Sequence, residues 1–131
     1  MLRRRELLAY FIGAGTAGTV LLGPYVLRIV VTPMFLPDRS VPLVPIVLLP
    51  VLWGVWNALW ARRHPRMGIG AWGAVLGFAA ACGMNGYLWA AGMWFRAAAL
   101  LVAFLPAVYW LVWGLVLGPL NEALGVEGRR A

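Results

Sequence analysis

The sequence predicts an all-α fold: a polytopic integral membrane protein with four transmembrane helices and both termini in the cytoplasm. Three observations predict it. The chain of 131 residues is 63% hydrophobic and only 11% charged, with a mean hydropathy of +0.85, which is more apolar surface than one soluble core of this length can hide. Four apolar stretches, 7–31, 41–61, 68–95 and 97–118, use nearly the whole chain as a single domain, 1–131. Each reaches the roughly 20 residues that cross a hydrocarbon layer about 30 Å thick. The chain also has eleven arginines and no lysine, and eight of the arginines (3, 4, 5, 62, 63, 66, 129 and 130) fall on one side of those stretches. Basic connections stay cytoplasmic, so this bias orients the chain and argues against dual topology.

The first span, 7–31, follows the basic flank Arg3-Arg4-Arg5-Glu6 and so runs outward. Gly13, Gly15, Gly18 and Gly23 with Thr16 and Thr19 give it a small-residue surface, in which Gly15 and Gly18 are the expected helix contact. Pro24 predicts a kink whose freed carbonyl needs another partner in hydrocarbon. Arg28, near the outer end, can snorkel to the headgroups or meet an acidic group on a partner subunit. The opening also resembles a twin-arginine export signal: Arg4-Arg5-Glu6-Leu7-Leu8 is followed by the glycine-rich GAGTAG. The length of the apolar run and the three spans behind it predict a first helix that is retained uncleaved.

Between Thr32 and Pro45, four prolines (33, 37, 42 and 45) with Asp38 and Arg39 disfavour helix until Ser40 can cap the second span. Within that span, 41–61, Pro50 predicts a bend, and Trp53, Trp56 and Trp60 recur on one helical face. Trp53, Trp60 and, at the far end of the third span, Trp94 are the expected interfacial anchors, together with Arg62, Arg63 and Arg66 in the cytoplasmic loop. The third span, 68–95, carries a ladder of small residues in steps of four, Gly73, Gly77 and Ala81, continuing to Asn85. Such a ladder admits a second backbone at close range, so this helix is the expected centre of the packing. The fourth span, 97–118, contains Pro106 and a Tyr109-Trp110-Trp113 cluster. Beyond Gly118-Pro119, the spacing of Leu120 and Leu124 fits either a short interfacial helix over 119–125 or a frayed tail.

The chemistry the sequence lacks is as informative. None of the four acids, Glu6, Asp38, Glu122 and Glu127, falls inside a span, which removes the simplest proton-coupled transport mechanism. His64 is the only histidine and lies in a basic loop, so one chain cannot supply a bis-histidine haem. Ser40 and Cys82 are the only serine and cysteine, neither with a histidine close in sequence. Cys82 reads as a small packing residue. The expectation is therefore no catalytic residue, no metal and no cofactor.

Three polar residues remain in or near the hydrocarbon: Arg28, Asn57 and Asn85. A buried amide costs several kcal/mol unless it finds partners, so both asparagines are expected to face protein. Trp56 and Trp110 sit away from the expected membrane boundaries and are candidates for a cofactor contact. The function expected from this pattern is that of a non-catalytic accessory or assembly subunit of a larger membrane complex. It would lie in a bacterial inner membrane and work through helix contacts with other membrane subunits or with its own copies. Anionic lipid headgroups, rather than nucleic acid, are the expected partners of the arginines. The alternative is a small homo-oligomeric channel or transporter with Asn57, Asn85, Tyr87 and Arg28 near its path.

Overall fold

The computed structural model describes residues 3–26, 43–63, 66–92 and 95–126. Arg28, His64, Trp94 and the proline-rich connection lie outside them, as does the arginine pair at 129–130. The described residues are all helical, with no strand among them. They divide into two compact units, Met1–Arg62 and Arg63–Ala131.

In the first unit, α1 spans Arg4–Val26 and α2 spans Leu43–Arg63. Helix α1 starts three residues before the expected Leu7 because Glu6 stabilises its first turn. The Arg3 backbone N–H donates to Glu6 Oε2 at 3.1 Å, and the Arg3 carbonyl accepts from the Glu6 N–H at 2.9 Å. This is the carboxylate half of a capping box. The same bond draws the Glu6 side chain inward, where it is buried. Helix α2 continues past Ala61 through both arginines, and Pro50 is accommodated inside it.

In the second unit, α3 spans Ile69–Ala90. It ends five residues before the expected Phe95, because Gly92 takes a φ of +68°. The Gly92 N–H donates to the Trp89 carbonyl at 3.0 Å, and the Ala91 N–H to the Tyr87 carbonyl at 2.9 Å. A left-handed residue closes the helix in this way, and only glycine adopts that conformation without strain.

The remainder is one helical run, Arg96–Ala123. A 3-10 turn, Arg96–Leu100, leads into α4, Leu101–Val112. A π turn, Trp113–Leu117, then leads into α5, Gly118–Ala123. The sequence reading ends the fourth span at Gly118 and places any interfacial helix after it; the structure carries the helix through. The reason lies in the π turn, where the Gly118 N–H donates to the Trp113 carbonyl, five residues back. In an α-helix a proline at 119 would clash with the carbonyl four residues earlier, and a turn widened just before it gives the ring room.

The end of the run is capped rather than frayed. Gly125 takes a φ of +70°. The Val126 N–H donates to the Asn121 carbonyl at 2.8 Å and the Gly125 N–H to the Glu122 carbonyl at 3.1 Å, which is the bond pair of a Schellman motif. Val126, the residue whose apolar side chain normally closes that motif, is fully buried.

Among the described residues two helical runs are long and apolar enough to cross a membrane, Ile69–Ala90 and Arg96–Ala123. Little of either is buried inside protein. Their outward faces carry Val75, Phe78, Met84 and Trp89 on α3 and Leu100, Phe104, Leu111 and Leu115 on the last run. The inward face of α3 carries Gly70, Gly73, Leu76, Gly77 and Ala81. Large apolar side chains thus stand on the outward faces of both runs, while Leu76, Tyr109, Trp113 and Leu117 are buried.

Candidate functional site

Two close helix crossings are present, one in each unit; the second runs through Gly73 and Gly77, while the first runs through Gly13 and Gly54 in place of the expected Gly15 and Gly18. In the second unit α3 and the last run are antiparallel, and the glycine ladder of α3 is where they touch. A Cβ placed on Gly77 would lie 2.7 Å from the Leu105 carbonyl oxygen and 2.9 Å from Pro106 Cα. One placed on Gly73 would lie 2.5 Å from Trp113 Cβ. At Gly70 the Trp110 indole fills the space, with Nε1 at 3.0 Å from such a Cβ. Ala81 is completely buried. No larger residue fits at Gly73 or Gly77 unless the helices separate.

Asn85 extends this ladder to the end of the crossing. Its Nδ2 donates to the Ala81 carbonyl on its own helix at 3.0 Å and to the Ala98 carbonyl on the facing 3-10 turn at 3.0 Å. Both protons of the amide are therefore engaged. Trp113, fully buried, stacks on Tyr109 with centroids 5.4 Å apart and rings 9° from parallel. Trp110 lies over Gly70 with its indole half exposed.

In the first unit the crossing runs through Gly13 and Gly54. A Cβ on Gly13 would lie 2.5 Å from the Trp53 carbonyl oxygen and 3.1 Å from Asn57 Cβ, and one on Gly54 would lie 2.8 Å from the Tyr10 ring. Ala9 and Ala17, one turn to either side of Gly13, are fully buried. Asn57 is fully buried as well, and its Nδ2 donates to the Ala9 carbonyl at 2.8 Å. In both units an asparagine amide thus reaches a backbone carbonyl on the facing segment, a pairing that satisfies the amide away from water.

Gly15 and Gly18 face open space within 4 Å and take no part in the α1–α2 crossing. Thr16 and Thr19 return their hydroxyls to the carbonyls of Ile12 and Gly15, four residues back in each case, as such residues do within apolar helices. Trp53 and Trp60 are 3% and 4% exposed, so what they meet is protein rather than headgroups, whereas Trp89 is 72% exposed. Arg62, Arg63 and Arg66 are exposed. Arg28 and Trp94 lie outside the described residues.

Sequence reasoning passed over Ala9, Gly13 and Ala17 as a ladder in steps of four, Gly54 as their counterpart, Gly70 as the start of the α3 face, and the buried Asn121. The first was visible in principle, since it repeats the spacing of Gly73, Gly77 and Ala81. Among the described residues no group of three or more His, Cys, Asp or Glu side chains is placed to hold a metal.

These features define an all-helical protein with two helices apolar enough to span a membrane and two small-residue helix crossings. No family model, no curated protein and no solved structure matches the chain.

Proposed function

We propose that this chain is a non-catalytic accessory or assembly subunit of a membrane complex. In this reading it crosses a bacterial inner membrane four times with both termini cytoplasmic, and it acts through lateral helix contacts. The observation that carries the reading is the division of labour between the inner and outer faces. Inside, the amides of Asn57 and Asn85 are engaged with backbone carbonyls, and the ladders are filled by the chain's own helices. Outside, the helices present large apolar side chains. Between Leu7 and Val26, Leu43 and Ala61, Ile69 and Ala90, and Ala97 and Asn121 there is no Asp, Glu, Lys, Arg or His to bind or pass a proton.

A solute path lined by Asn85 has less support, because both of its amide protons already have acceptors. Affinity purification in a mild detergent tests the subunit reading. The expected result is a reproducible membrane partner; a chain recovered alone and monomeric would overturn it. Reconstituted vesicles address transport directly, since a solute flux abolished by Asn85→Leu would favour a channel instead.

A further inference from the structure

We propose that the paired ends of α1 and α2 form one site for the phosphate of an anionic phospholipid, built from Arg3, Arg4 and Arg5 on one helix and Arg62 on the other. The inference rests on the membrane reading above.

The crossing sets the register. Ala9 pairs with Asn57 through a hydrogen bond, while Tyr10 packs on Gly54 and Gly13 on Trp53, so the two helices are antiparallel. Going four residues back from Ala9 reaches Arg5, and going five residues on from Asn57 reaches Arg62. At about 1.5 Å per residue these steps move ~6 Å and ~7.5 Å toward the same end. The arginines of α1 and Arg62, 57 or more residues apart in sequence, therefore stand at one level on helices in backbone contact.

All four guanidinium groups are on exposed residues. The only carboxylate among the described residues of α1 and α2, on Glu6, is buried and engaged with the Arg3 backbone N–H. Arg3, Arg4 and Arg5 also add positive charge to the positive end of the α1 dipole, an arrangement that an external anion relieves. Guanidinium forks match phosphate oxygens two at a time. What selects a lipid over a free phosphate is the continuation of the same face: Arg3, Leu7 and Phe11 follow one another at intervals of four, and Leu7 and Phe11 are exposed. The headgroup meets arginine, and the acyl chain runs along leucine and phenylalanine.

The test is native mass spectrometry of the detergent-solubilised full chain with phosphatidylglycerol or phosphatidylcholine added. Wild type is expected to retain the anionic lipid about ten-fold more than the zwitterionic one. Replacing either side of the site, Arg3/Arg4/Arg5→Gln or Arg62→Gln, is expected to abolish the preference, while Arg96→Gln keeps it. Preference surviving in either cluster variant, equal loss in Arg96→Gln, or competition by inorganic phosphate as strong as by lipid would each overturn the site. Alkaline carbonate extraction of the wild type separates the two levels of argument. Release into the soluble fraction sinks the membrane reading itself, and an embedded chain without lipid preference sinks this inference alone.

Discussion

At the residue scale a single methyl group discriminates between the faces of these helices. Gly77→Ala places a carbon where the Leu105 carbonyl oxygen would be 2.7 Å away, and forced separation of packed helices costs about 1–3 kcal/mol. Gly15→Ala meets nothing within 4 Å, and the same change at an open helical site gains roughly 0.5–1 kcal/mol. Denaturant unfolding in detergent should therefore show opposite signs for the two variants; the same sign for both would contradict the assigned crossings. Asn57→Leu removes the hydrogen bond to the Ala9 carbonyl, and its expected cost is about 0.6–2 kcal/mol. Because Gly13 lies under Asn57, a Gly13→Ala, Asn57→Leu cycle is expected to be non-additive.

This is also the scale at which the sequence was hardest to read. Gly13 and Gly15 are two residues apart and so point about 200° apart around the helix, which means they cannot serve the same contact. Composition alone makes Gly15 and Gly18 as eligible as Gly13. The choice falls to Gly13 because α2 supplies Gly54 and Asn57 opposite it.

At the element scale the helix ends are governed by glycine and the helix interiors by how proline is accommodated. Gly125 holds a left-handed conformation that closes the last helix, and an alanine there costs about 1–2 kcal/mol. In Gly125→Ala, amide exchange at Val126 is expected to accelerate while α3 stays protected; unchanged exchange would remove the Schellman motif from the account. The expected 41–61 compares with a helix over Leu43–Arg63, and the expected 68–95 with one over Ile69–Ala90. The larger miss was at Pro119, where proline after glycine reads as a stop. The π turn just ahead of it gives the proline ring room, and Trp113 at its start packs against Gly73.

At the scale of the whole molecule, Cys82 reports on the surrounding solvent. It is a free thiol on the outward face of α3. If hydrocarbon surrounds that face, a membrane-impermeant maleimide should fail to label Cys82 in intact vesicles and succeed after detergent denaturation. Rapid labelling in vesicles would place the face in water. The basic clusters make a second expectation. In a Cys82→Ser background, Arg66→Cys should be shielded from an outside reagent in intact cells and Arg96→Cys should react, as four crossings with cytoplasmic ends require.

The sequence by itself determined the helical class, the two helical runs apolar enough to cross a membrane and the candidate small-residue faces. Hydropathy, arginine placement and glycine spacing are local properties, which survive without knowledge of any neighbour. Tertiary structure decided which face each helix turns inward. It selected Gly13 over Gly15, buried Trp53 and Trp60, and joined Asn57 to Ala9 and Asn85 to Ala98. Those outcomes rest on the rotation and register of one helix against another, and close packing settles both only when the two surfaces meet.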